Sequence, residues 1–176
     1  SFNKNTITAM EKNDVDLFKI NLSHTKINDV EEIITSLKSW SSVPICLDSE
    51  GAQVRNQYMV NESVVFNEGD TVKIHPNEIK GDNKNISFVP TNVFKQWKIN
   101  DLIYVDFHAV TLKVIERNDK FLLAKAISTG VVGSNKAVNI NREIDLEPMT
   151  KKDFEAFHIG KKMGIKNYAL SFTNSA

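Results

Sequence analysis

The sequence predicts an α/β fold interrupted by a small all-β domain, and three observations carry that reading. A run at residues 18–24 alternates apolar and polar side chains, an amphipathic helical stretch follows, and a near-continuous apolar run, Val43 to Leu47, then ends in Asp48. Strand, helix, strand makes one β-α-β unit, whose crossover is right-handed. From about Asn56 the texture changes to short β-rich runs split by turn residues, before a helical pattern returns near Thr150.

In chain order, residues 1–13 read as a loop and a short helix. Asn5 or Thr6 can cap it, Ile7 and Met10 share a face, and Asn13 can close it in the left-handed conformation. In the strand that follows, Phe18, Ile20 and Leu22 fall on one face and Lys19, Asn21 and Ser23 on the other, because a strand repeats every two residues. One face suits helices; the other offers an ammonium, an amide and a hydroxyl, the layout of a ligand site. On alternation alone, the plainer reading is a half-buried strand with a solvated outer face.

Asn28-Asp29-Val30-Glu31 resembles a capping box and opens a helix with Val30, Ile33, Ile34 and Leu37 on one face. Val43 to Leu47 has the β-branched, continuous character of a parallel strand covered on both sides. A carboxylate such as Asp48, just past the carboxyl end, stands where parallel sheets and barrels put chemistry.

The β-rich region contains Ser63-Val64-Val65-Phe66, a turn at Asn67-Glu68-Gly69-Asp70, and Thr71-Val72-Lys73-Ile74. Similar runs follow at Ile86 to Val89, Leu102 to Asp106, Thr111 to Ile115, Phe121 to Ala126 and Ala137 to Ile140. Regular spacing with Gly, Asn and Asp between the runs indicates a small antiparallel barrel or sandwich, inserted after the second strand of the α/β part. The expected divisions are residues 1–55, 56–141 and 142–176. Beyond the insertion, Thr150-Lys151-Lys152-Asp153 has capping-box form, Phe154, Phe157 and Met163 line a helix that Gly164 can end, and Tyr168 to Phe172 reads as a strand with a hydroxyl near its end.

Composition bounds the partners. Lys plus Arg equals Asp plus Glu, 22 each, so no net basic field argues for nucleic acid and no acidic tail argues for disorder. The single cysteine, Cys46, sits in an apolar run and reads as a buried free thiol in a reducing, cytoplasmic setting. No apolar stretch approaches the roughly 20 residues of a membrane span. The opening Ser1-Phe2-Asn3, without an initiator Met, gives the expectation of a trimmed or incomplete chain. His75, His108 and His158 show no metal-ligand spacing.

These stretches resemble the pyruvate kinase family. Residues 18–24 are similar to its R-x-N-x-S-H strand end, and Leu47-Asp48-Ser49-Glu50-Gly51-Ala52-Gln53-Val54-Arg55 to its L-L-D-x-K-G-P-x-I-R. Ile103-Tyr104-Val105-Asp106 resembles I-x-x-D-D-G, and Gly133 to Asn139 resembles S-x-K-G-V-N-L-P. Leu146 to Asp153 resembles L-P-x-L-T-x-K-D, and Tyr168 to Ala176 resembles A-x-S-F-V-R-x-A. The resemblance implies part of a (β/α)8 TIM barrel with an inserted β-rich lid, hinged near residues 55–57 and 141–144 and moving over the barrel mouth.

It also implies phosphoryl transfer from phosphoenolpyruvate to ADP, with potassium and magnesium as cofactors, in a homo-oligomer. By that resemblance Lys19 and Arg55 are the phosphate-facing cations. His24, Asn21, Lys136 and Asp106 face the nucleotide, and Asn21, Ser23, Asp48 and Ser49 are the potassium ligands. All four carry a side-chain oxygen, as a hard cation requires. Without the family, Asp106 reads as a turn residue, Lys136 as a solvated one and His24 as a strand-end His paired to backbone. The family's catalytic Lys and its magnesium-binding acids lie on strands beyond those matched here.

Departures bear on activity. Lys19 replaces an Arg and gives up its planar fork. Glu50 stands where the family has Lys, Ala52 where it has Pro, Phe107-His108 where it has Asp-Gly, and Asn174 where it has Arg. Exchanging Lys for Glu beside a polyphosphate moves the charge by two units, and one close unit pair is worth roughly 4 kcal/mol at an effective dielectric of about 20. Two alternatives follow: a non-catalytic relative that binds a phosphorylated ligand or regulates assembly, and a different phosphorylated-substrate enzyme on the same barrel.

Overall fold

The computed structural model describes residues 2–174; Ser1, Ser175 and Ala176, which end the opening and closing runs quoted above, lie outside the described residues. The chain divides into two compact units, Ser1–Ala52 with Glu147–Ala176, and Gln53–Leu146. Among the described residues no helix is long and apolar enough to cross a membrane.

The first unit opens with α1 (Lys4–Glu11). Its cap is Asn3, whose side chain accepts the Thr6 N–H at 3.0 Å, rather than Asn5 or Thr6, and the left-handed residue beyond it is Asp14 at φ 58°, not Asn13. The Asn13 side chain instead donates to the Ala9 carbonyl at 2.7 Å. β1 (Phe18–Asn21) is shorter than its alternation suggests. The Asn21 side-chain oxygen accepts the Ser23 N–H at 2.9 Å and turns residues 22–24 into a 3-10 helix, so Ser23 and His24 are not on the strand.

A 3-10 turn at Ile27–Asp29 leads into α2 (Val30–Trp40), which buries Val30, Ile34 and Leu37 and half-buries Ile33. Asp29 holds its N-cap position without a side-chain cap bond, so the expected capping box is not formed. β2 (Ile45–Asp48) is buried throughout.

The second unit carries β3 (Val54–Asn56), β4 (Ser63–Phe66), β5 (Thr71–His75), β6 (Asn85–Val89), β7 (Leu102–Val105), β8 (Val110–Arg117), β9 (Leu122–Ala126), β10 (Gly130–Gly133) and β11 (Ala137–Ile140). Seven of them close a barrel in the order β11-β3-β6-β5-β9-β8-β7, while β4 and β10 form a separate ribbon. The pairing is antiparallel except for β5 with β6, which run parallel. That pair needs a crossover, and it departs from the all-antiparallel expectation. Phe66, Trp97, Ile74, Ile86, Ile103, Leu112 and Leu122 are among the fully buried side chains of its core.

The chain returns to the first unit through α3 (Lys151–Lys162), where Thr150 and Asp153 do form the expected capping box, and Gly164 at φ 73° follows its end. Its inner face is Ala156 and Gly160, with Phe157 and Met163 packed at the margin; Phe154, expected there, is 61% exposed. A Cβ at Gly160 would lie 2.6 Å from Leu47 Cδ1, so glycine lets α3 approach β2 closely. β12 (Asn167–Ala169) stops before Ser171, which lies in a turn. The sheet runs β1-β2-β12, all parallel. Phe18, Ile20, Ile45 and Leu47 share one core with the apolar faces of α2 and α3.

Candidate functional site

β1 and β2 run parallel with Asn21 in register with Asp48, and Ala169 of β12 is in register with Asp48 from the other side. Period-two alternation therefore sets Lys19, Asn21, Cys46 and Asp48 on the sheet face opposite the helices. The polar groups gather at the strands' carboxyl ends.

Asp48 is the centre of this group. It is 3% exposed; Oδ1 accepts the Ser171 hydroxyl at 2.6 Å, and Oδ2 lies 2.8 Å from Lys19 Nζ. Burial opposes its ionisation, but the hydrogen bonds from Lys19 and Ser171 and the lysine's charge outweigh it and hold the carboxyl below its ordinary value. The same hydrogen bond, with the Asp48 negative charge, pushes the Lys19 ammonium up. Burial, with the neighbouring Asp48 charge, raises the Cys46 thiol, which leaves it a poor nucleophile.

Ser49 is committed to the turn after β12. Its N–H donates to Ala169 O at 3.0 Å, and its hydroxyl oxygen accepts the Ser171 N–H at 3.0 Å. Gly51, at φ 70°, passes so close to this turn that a Cβ would lie 1.8 Å from Ser171 O. Ser23 is buried in the middle of the 3-10 turn that follows β1, and His24, its last residue, is exposed.

Glu50 is drawn to the start of α3. Its Oε1 meets Lys152 Nζ at 2.8 Å and its Oε2 accepts the Thr150 hydroxyl at 3.2 Å, while Lys152 also donates to the Leu22 carbonyl. Fully buried Asp153 accepts the N–H groups of Glu50, Gly51 and Thr150 at 2.7, 3.1 and 2.9 Å. One carboxylate thus joins the loop after β2 to the helix cap.

In the β-barrel unit, Asp106 and Lys136 form an ion pair at 3.6 Å. Asp106, Phe107 and His108 take φ of 53°, 53° and 73° in succession; His108 stacks on Tyr104 at 4.2 Å and Phe107 is 77% exposed. Arg55 donates to the Asn135 carbonyl at 3.0 Å, and the Lys136 N–H donates to Asn56 Oδ1 at 2.6 Å. Lys136 also lines a depression of about 860 Å3 bordered by Tyr58, Met59, Glu78 and Lys80.

The structure brings Lys19, Asn21, Asp48 and Ser49 together, with Ser23 in the adjoining turn. It pairs Asp106 with Lys136 and ties Arg55 to the neighbouring Asn135. Sequence reasoning missed Ser171, Lys152 and Asp153 as parts of the first group. Signals existed for two of them: a hydroxyl near the end of the last strand, and the capping box. Among the described residues no cluster of three or more His, Cys, Asp or Glu could hold a metal ion.

A parallel α/β unit with buried charge and hydroxyls at its strand ends is the kind that carries its chemistry there. A family model described as pyruvate kinase, barrel domain, matches residues 1–176, so the chain belongs to the pyruvate kinase family. A pyruvate kinase of Lactobacillus delbrueckii subsp. bulgaricus is 29% identical over 97% of this chain and 31% of its own length. One from Thermotoga maritima is 27% identical over 90% and 35%, and pyruvate kinase 2 of Saccharomyces cerevisiae is 26% identical over 97% and 36%. The chain spans about a third of the length of the curated relatives it matches.

Proposed function

We propose that the chain is a segment of a pyruvate-kinase-type phosphotransferase that moves a phosphoryl group from phosphoenolpyruvate to ADP. In this reading its α/β unit is part of a (β/α)8 barrel and its β-barrel unit is the inserted lid. The supporting observation is the Asn21–Asp48 register, which sets Lys19, two oxygen-bearing side chains and the Ser171 hydroxyl at one end of parallel strands.

Phosphoryl transfer depends on fixed positive charge and donors around the moving group. Lys19, half exposed, is the cation the α/β unit offers, and Arg55 the one the β-barrel unit offers. His24 and Asn21 are the nucleotide-facing residues of the α/β unit, and Asp106 and Lys136, an ion pair, are those of the β-barrel unit. Asn21, Ser23 and Asp48 are oxygen donors that suit potassium, which when bound adds positive charge near the phosphoryl group; Ser49 backs them through Ser171. Among the described residues no cluster of acidic or imidazole side chains offers magnesium a ligand set.

The test is binding and turnover by the purified chain. Expected are phosphoenolpyruvate binding that Lys19→Ala weakens at least about tenfold, the scale of one lost charge-assisted contact, and no turnover with ADP. Equal binding by the variant overturns the assignment of Lys19, and turnover by the chain alone overturns its reading as a segment.

A second reading, a non-catalytic relative that binds a phosphorylated ligand, is favoured by one observation: Glu50 stands where the family has Lys and is held by Lys152. If Glu50→Lys raises ADP affinity, the kinase plan survives with one altered position. If ADP affinity stays unchanged, the ligand-binding reading is preferred.

A further inference from the structure

We infer that Asp48 takes one monovalent cation at a time and that the Lys19 ammonium is its resident cation, so that Lys19 sets the chain's demand for a free ion. The inference rests on the reading of this strand end as an ion site, and revises it. A site for potassium needs oxygens around a carboxylate whose charge is available. Here the donor chemistry fits, but the charge is in use.

Both carboxylate oxygens are engaged, Oδ1 by the Ser171 hydroxyl at 2.6 Å and Oδ2 by Lys19 Nζ at 2.8 Å. The Asp48 side chain is only 5% exposed, whereas that of Lys19 is 56% exposed. The carboxylate therefore has little water to replace a lost partner, while the lysine can leave on its flexible four-carbon stem. Taking one partner from a buried ion pair leaves an uncompensated charge, which is strongly unfavourable.

The other oxygens around Asp48 favour a small cation as the replacement. Asn21 is its register neighbour, and its side-chain oxygen keeps a second lone pair after accepting the Ser23 N–H at 2.9 Å. Ser23, whose N–H that oxygen accepts, is buried as well. An ammonium and a monovalent metal ion are alternative occupants of one position, as both are compact single charges that oxygen ligands satisfy.

The experiment follows thermal unfolding of the whole chain by the helical circular dichroism signal, which reports the α/β unit because the three α-helices of the described residues lie in it. Potassium chloride is compared with choline chloride at equal ionic strength. Expected is a wild-type midpoint that agrees in the two salts within about a degree. Lys19→Met should melt several degrees lower in choline chloride and recover in potassium chloride, as a ligand that binds only the folded state requires. Lys19→Arg, which keeps the charge, should remain indifferent to the salt. The double variant Lys19→Met, Asp48→Asn should lose the potassium response.

If wild type itself gains several degrees from potassium, the strand end is an ion site but Lys19 is not its occupant, and the inference fails alone. If neither wild type nor Lys19→Met responds, the ion site fails and takes the inference with it. Should Lys19→Met not fold in either salt, Lys19→Gln and the wild-type comparison decide the matter in the same way.

Discussion

Glu50 and Lys152 meet at 2.8 Å with the Thr150 hydroxyl on the second carboxylate oxygen, so the acid that replaces a family lysine is turned into the start of α3. The two side chains are 23% and 27% exposed, partly shielded from water. The charge reversal at position 50 is therefore matched by a cation about a hundred residues later in the chain.

Glu50→Lys places like charges at this contact. Expected is a loss of about 1–3 kcal/mol, between the small value of an exposed pair and the larger cost of breaking a buried one. Urea unfolding measures it, and Lys152→Glu in the same chain should restore part of the loss by reversing the pair. A double variant no more stable than the sum of the two single changes would show that the pair is not coupled.

Asp153 is fully buried and satisfies three backbone N–H groups from two segments. Asp153→Ala leaves those donors unmatched, so a loss of about 3–5 kcal/mol is expected, larger than the ~1 kcal/mol of an ordinary cap such as Thr150→Ala. Comparison of the two variants by denaturant unfolding checks the ranking. Equal losses would mean that the link to Glu50 and Gly51 contributes little.

The parts visible in the sequence are those with local causes. Alternation at Phe18 to Asn21 and the apolar run ending at Asp48 marked β1 and β2, because burial on one or both faces writes itself into neighbouring residues. The capping box at Thr150 was legible for the same reason. Three-residue β3 leaves too short a pattern, and β10 is bounded by glycines that read as a turn. Gly130 is needed there because a Cβ would lie 1.9 Å from Ala109 O, a long-range constraint that local pattern does not carry. In the site, Lys19 and Asp48 were legible as residues, but their ion pair and the bond from Ser171 join segments far apart in sequence. Only the fold closes those distances.

Asp82 predicts an acid-sensitive step in the β-barrel unit. Burial works against its ionisation, but the N–H of Lys84 and the side-chain and backbone N–H groups of Asn85, at 2.7, 3.0 and 2.8 Å, hold the carboxyl below its ordinary value. A lowered folded value means that the carboxylate's contribution is fully present above its unfolded value, near 3.9, and is lost as pH falls through the lower folded one. Wild type should therefore lose more stability than Asp82→Asn between about pH 4 and pH 2. Parallel pH profiles for the two proteins would place the acid sensitivity elsewhere.

Phe107 occupies the middle of three successive left-handed residues and is 77% exposed, where the family has Asp and then Gly. A non-glycine residue in that conformation carries about 1–2 kcal/mol of strain, because its Cβ approaches the following carbonyl oxygen. With so little of the ring buried, packing recovers only a small part of this. Phe107→Gly removes the Cβ and adds chain entropy to the unfolded state, about 0.5–1 kcal/mol in the opposite direction. The expected net effect is a gain of up to about 1 kcal/mol, read as a higher urea midpoint with an unchanged slope. His108→Gly, at φ 73°, removes the same strain but also the stack on Tyr104, so it should gain less than Phe107→Gly. A clear loss of stability in Phe107→Gly would show that the exposed ring is held by contacts that outweigh the strain of its backbone.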